Sequence, residues 1–177
     1  MAKAKWKVDT SHSEVNFTVK HMMIARVNGT FRDFSADLAF DPEDLTTADV
    51  NFTVNVASID TRNEDRDNHL KSADFFDVEN HPNMTFVAKT IEKKRDNEYD
   101  VTGDLTIRGV TKPETFRVTF AGVAKDPFSG VEKAGLTATG KINRTDYGLT
   151  WNAALETGGV LVSEDVKIDL LLELIKE

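Results

Sequence analysis

The chain has 177 residues, a formal net charge of −8 and no cysteine. That length suits one domain, spanning 1–177, able to bury most of its apolar surface without staples. The missing thiols exclude disulfides and thiolate chemistry, and lysines scattered among acids exclude the basic stripe of a nucleic-acid binder.

The first residues, MAKAKWKVD, carry positive charge but run into no apolar stretch of signal-peptide length. Nowhere does the chain approach the ~18 consecutive apolar residues of a membrane span. The expectation is a cytoplasmic protein without a transmembrane segment.

After a short start around Trp6 and Val8, the dominant signal is period-two alternation. Val15, Phe17 and Val19 alternate with polar residues, then Phe34, Ala36, Leu38 and Phe40, then Val50, Phe52, Val54 and Val56. The segment Thr61 to Ser72, TRNEDRDNHLKS, breaks the pattern and suits a short surface helix; a second helical stretch is considered at Asp41 to Leu45. Phe75 and Phe76 follow the helix. In an extended strand they could not both face inward, so either one caps the structure or contacts a partner, or both pack in an irregular corner.

Alternation resumes with Met84, Phe86 and Ala88, then Val101, Gly103, Leu105 and Ile107. The basic run Glu92 to Asp96 between them reads as a solvated hairpin turn. Phe116, Val118 and Phe120 come next, followed by Leu136, Ala138, Gly140 and Ile142. Val166, Ile168, Leu170, Leu172 and Leu174 close the chain. Turn signals separate these runs at Asn28-Gly29, Asp41-Pro42, Asp96-Asn97, Arg108-Gly109, Ser129-Gly130 and Gly158-Gly159. The count is roughly eight or nine strands.

The pattern defines an all-β chain whose antiparallel sheet buries one face. So many strands close as a barrel or pack as a sandwich, and an eight-stranded barrel can hold one small ligand. Small residues share the inward phase: Ala36, Ala88, Gly103, Gly122, Ala138 and Gly140. They leave room for a ligand or for neighbouring side chains, or they mark bulges. Gly103 and Ala138 are the positions expected to make room.

The inward phase gives a candidate pore lining of Phe17, Val19, Phe34, Phe40, Phe52, Val54, Phe86, Leu105, Phe120, Ile142 and Ile168, with Trp151 added. Ser13, His21 and Arg144 share that phase at strand ends and form a candidate polar rim for a headgroup.

Nothing specific points to catalysis. His12, His21, His69 and His81 have no metal-ligand spacing, and no nucleophile elbow, phosphate-binding loop or dinucleotide fingerprint is present. Arg66-Asp67-Asn68-His69 reads as capping and salt-bridge partners. No catalytic residue, metal or cofactor is expected.

In order along the chain, WKVDTSHSEVNFTVKH, VNGTFRDFSADLAFD, TRNEDRDNHLKSADFFDVENHPNMTF, GDLTIRGVTKPE, INRTDYGLTW and VSEDVKIDLLLEL resemble the YceI-like family of lipocalin-like barrels. The resemblance implies an eight-stranded antiparallel barrel with a short helix in its long connection. It also implies an elongated apolar pore and a long isoprenoid or related lipid, such as a quinone tail, as ligand. Some members are periplasmic and carry a leader, which this sequence does not show. A homodimer stays open. Two alternatives stand beside the carrier: a filled barrel acting as a stress or interaction protein, and a small barrel enzyme using His21, Arg144 or the Asp67–His69 region. An interior volume above a few hundred Å³ would count against the filled barrel.

Overall fold

The computed structural model describes residues 3–156 and 159–177. Eleven strand segments join into a closed barrel of eight antiparallel staves. Three staves are broken. The first is β1 (Ala4–Val8) continued by β2 (Glu14–His21); the second is β3 (Ala25–Phe31) continued by β4 (Phe34–Asp41). The third is β5 (Asp44–Asn55) continued by β6 (Ile59–Asp60). The remaining staves are β7 (Asn83–Arg95), β8 (Glu98–Ile107), β9 (Val110–Lys125), β10 (Glu132–Asn143) and β11 (Asp165–Lys176). Each pairs with the next in sequence, and β11 closes the ring by pairing with both β1 and β2. Closure leaves no long unpaired edge.

The three breaks lie side by side and are held by side chains that replace ladder bonds. The Asp9 carboxylate accepts from Ser11 N at a single 3-10 turn, and Asn55 does the same for Ala57 N at the next. Asn55 Nδ2 donates to Asp33 Oδ2 (3.0 Å), and Asp33 N donates to Ser58 Oγ (3.0 Å) across neighbouring staves. Ser13 Oγ accepts from Glu173 N (3.0 Å) and so ties the first break to β11.

The breaks divide the barrel. The upper end carries the turns at 42–43, 96–97 and 126–131. The lower end carries the β2–β3 turn, the connection 61–82, the turn at Arg108-Gly109 and the long loop 144–164. In that connection α1 (Glu64–Lys71) starts at Asn63, whose side chain accepts from Arg66 N, with acids in its first turn and His69 and Lys71 in its last. This charge order suits the helix dipole. The helix is three residues shorter at its start than the polar segment suggested, because Thr61 is held instead by the Asp67 carboxylate (Thr61 N to Asp67 Oδ1, 2.9 Å).

Other expectations need correction. Asp41 to Leu45 is not helical: Pro42 and Glu43 make a tight turn and β5 begins at Asp44. Asn28 and Gly29 lie inside β3, where the Phe17 ring covers Gly29, so the pair is not a turn. Gly158 lies outside the described residues. Gly103 makes no room: a Cβ there would stand 2.2 Å from Val87 O and 2.8 Å from Ala88 Cα, at the bulge where Ala88 and Thr90 shift register. At Gly140 a Cβ would meet the Phe116 ring at 2.4 Å, so a neighbouring phenyl group already takes that volume.

Candidate functional site

Two cavities lie end to end inside the barrel. The upper measures about 180 Å³ and is walled by strand faces, among them Phe40, Phe52, Val54, Phe86, Leu105, Phe120, Ala138 and Ile168. The lower measures about 420 Å³ and is walled by Phe17, Val19, Ile142, Trp151 and Ile168, with α1, Phe75 and Phe76 beneath. Val15, Met84, Ile107 and Ile168 line both, so the two cavities abut along the barrel axis with these side chains between them. The lower cavity alone falls among ligand pockets of about 300–1,000 Å³, which counts against a filled barrel.

The aromatic lining is packed in pairs that fix its shape. Trp6 stacks on Phe40 at 4.8 Å, and Phe40 meets Phe120 edge-on at 6.1 Å. Phe86 meets Phe116 edge-on at 5.1 Å. Phe75 and Phe76 both face the lower cavity. They can do so because they lie in a turn rather than a strand, and Arg108 Nη1 clamps that turn through Phe75 O (2.9 Å).

Two expected members line neither cavity. Phe34 is buried on the inward face opposite Val54 and stacks on Phe52 at 5.9 Å, so it packs within the core and is not part of either cavity lining. Ser13 is spent on bridging β2 to β11 and faces an outer groove, not a rim. His21 does line the lower cavity, from the end of β2. Arg144 lines it too, but buried at 5% exposure rather than at a rim.

Arg144 is the main polar feature of the cavity. Its guanidinium donates to the carbonyls of Leu149 (2.6 Å), Trp151 (3.0 Å), Ser163 (2.9 Å) and Val162 (3.2 Å). It also lies 5.8 Å from the centre of the Phe75 ring. Burial pulls its pKa below the ordinary value, with Glu164 opposing. These four carbonyls belong to the loop that floors the barrel, so one side chain holds that loop in place.

Arg66 and His69, read from the sequence as capping and salt-bridge partners and not as pore lining, also line the lower cavity, as does Tyr147, which the sequence does not single out. Arg66 donates to Thr61 Oγ1 (2.7 Å) and Thr61 O (2.6 Å). His69 bonds Asp74 Oδ2 through Nε2 (2.9 Å), with its ring edge-on to Trp151 at 4.8 Å. Tyr147, fully buried, donates to Glu114 Oε1 (2.9 Å); burial raises the pKa of both groups. The dense run of these residues in TRNEDRDNHLKSADFF and INRTDYGLTW was the available signal. Their side chains point the way they do only because the two segments fold against each other.

Outside the pore, Asp9, His12 and Glu173 come together with ligand atoms within 4.8 Å of one another, an arrangement that could take a metal and that histidine spacing did not show. His12 Nδ1 lies 2.8 Å from Asp9 Oδ2 and 3.1 Å from Glu173 Oε2. Hydrogen bonds from Ser11 and His12 push Asp9 down to about 2, and the bond to Asp9 followed by the Glu173 charge raises His12. A protonated imidazole between two carboxylates accounts for the cluster.

A closed up-and-down antiparallel barrel around two end-to-end apolar cavities defines a lipocalin-like barrel. The chain belongs to the YceI-like family: the YceI-like domain matches residues 6–174. It is 47% identical over 169 residues to a UPF0312 protein of Staphylococcus epidermidis, covering 96% of each chain. It resembles the crystal structure of BcnA from Burkholderia cenocepacia (TM-score 0.82, 28% identity, 94% of this chain and 98% of that one). A polyisoprenoid binding domain from Saccharophagus degradans shares the fold at 14% identity (TM-score 0.72, 98% and 99% covered). Among the described residues, no helix is long and apolar enough to cross a membrane.

Proposed function

We propose that the barrel binds and carries or sequesters a long, branched apolar chain, an isoprenoid or a lipid of similar girth. The tail would fill the upper cavity and the polar end would rest in the lower one. The observation that carries this reading is the end-to-end placement of two apolar cavities that share Val15, Met84, Ile107 and Ile168, so that a chain displacing these side chains can span both. The polyisoprenoid binding of the Saccharophagus domain, on the same fold, supports the choice of ligand class. Phe40, Phe52, Val54, Phe86, Leu105, Phe120 and Ile168 would grip the tail, and Phe17, Val19, Ile142 and Trp151 its proximal units. His21 and Arg144 would face the head.

The energetics suffice without specific polar contacts. Four isoprene units at about 0.8 kcal/mol per buried carbon give about 15 kcal/mol gross. Lost translational freedom and tail ordering remove roughly half, leaving about micromolar affinity. Binding rather than catalysis fits the polar groups of the lower cavity, which are spent on holding its walls: Arg144 on carbonyls, Arg66 on Thr61 and His69 on Asp74.

A fluorescent geranylgeranyl probe titrated into the protein tests the reading. Saturable one-to-one binding, displaced by unlabelled long prenyl alcohols and poorly by short ones, is the expected result. Absence of saturation, or displacement indifferent to chain length, contradicts it.

A further inference from the structure

The β2–β3 turn, Met22-Met23-Ile24, is built against the usual chemistry of its position. Met22 and Met23 sit at φ 54° and 63°, two successive left-handed residues. Such a turn normally takes Asn-Gly, because a residue with a Cβ is strained there and only short polar side chains compensate locally. Methionine offers neither escape. The three residues are also 44%, 55% and 86% exposed. The other large exposed apolar residues among those described, Val87, Val123, Phe128 and Leu171, are scattered singly.

This tip stands at the lower cavity. His21, just before it, lines that cavity, and Met22 N donates to Leu161 O (2.8 Å), tying the tip to the loop whose Leu161 and Val162 form the cavity wall. Directly behind the apolar residues, Lys20 and Arg26 face each other across the strand pair, both exposed. Among the described residues neither forms an ion pair. A strained apolar tip backed by two unpaired cations complements the surface of an anionic bilayer, with acyl chains for the methionines and isoleucine and headgroups for the cations.

We propose that the Met22–Ile24 tip docks on an anionic lipid bilayer and sets the lower cavity against the membrane for loading or unloading. The proposal rests on the reading of the cavity as a lipid site, since a long apolar chain resides in membranes when it is not in the barrel. The overall charge of −8 repels an anionic surface, so docking is confined to this end and weakens with salt.

Co-sedimentation with phosphatidylglycerol–phosphatidylcholine vesicles and with pure phosphatidylcholine vesicles tests it. The variants are Met22→Asn with Met23→Gly, which restores a favourable turn, and Ile24→Ser, which alters a side chain exposed to water. Wild type should partition onto the anionic vesicles at low salt at least about fivefold better than onto neutral ones, and each variant should lose about tenfold on the anionic vesicles. All three proteins should bind the geranylgeranyl probe equally in vesicle-free solution. Absence of wild-type sedimentation, equal binding to both vesicle types, or variants that sediment like wild type would each overturn docking. Probe binding is scored separately, so a failure of the lipid-site reading appears in vesicle-free solution while vesicle association is read on its own.

Discussion

In the upper half of the barrel every wall is the face of a strand, whereas in the lower half a helix, a loop and two turns complete the wall. The upper cavity is lined almost wholly by aliphatic and phenyl groups, set by the pleat of continuous staves. The lower cavity contains two arginines, two histidines and an aspartate among its lining. Strand faces secure a dry wall through ladder bonds made elsewhere. A wall of irregular chain has carbonyls and amides to satisfy. That is why the polar side chains gather below, and why a buried cation there is a structural part before it is a ligand contact.

The sharpest way to break this contrast is Arg144→Met. Four carbonyls would lose their donor, and the loop 144–164 its anchor. A loss of about 3–5 kcal/mol in urea denaturation is expected. A loss below about 1 kcal/mol would show that the loop holds itself. Above the breaks, Gly103→Val should cost about 1–3 kcal/mol by overpacking against Val87 O and Ala88. Ala138→Leu, on the open wall of the upper cavity, should change stability by less than about 1 kcal/mol yet weaken binding of long prenyl chains. Equal destabilisation by the two would mean that no free volume stands beside Ala138.

The smallest expected effect lies outside the pore, at Asp9 and His12. Asp9 is depressed, so its stabilisation is present above its ordinary value of 3.8 and is lost as pH falls through about 2. His12 is raised, so its contribution is full below 6.5 and disappears as pH rises through its higher folded value. His12→Ala should therefore destabilise slightly below pH 6.5, and the effect should fade as pH rises through the higher folded value. A difference that grows with pH would contradict the pairing.

The strand faces were legible because one residue of slip would turn every apolar group to water. Phe52 and Val54 point inward beside exposed Asn51 for that reason. Phe34 and Ser13 were misplaced for different reasons: Phe34 keeps its inward phase but its ring is taken up by packing on Phe52, and Ser13, at a stave break, is drawn to the β11 backbone. Gly103 and Gly140 look alike in sequence, yet one faces backbone at a bulge and the other a phenyl ring. Only the partner strand decides that. Asp9, His12 and Glu173 come together only because β11 closes the ring beside β1, a contact with no local trace.

The most direct measurement is native mass spectrometry of the protein purified gently from its own host, with fragmentation of any released molecule. One apolar molecule per chain, breaking into isoprene-spaced fragments and depleted in Ala138→Leu, is the predicted result. A bare chain that stays bare after incubation with polyprenyl alcohols would contradict the account.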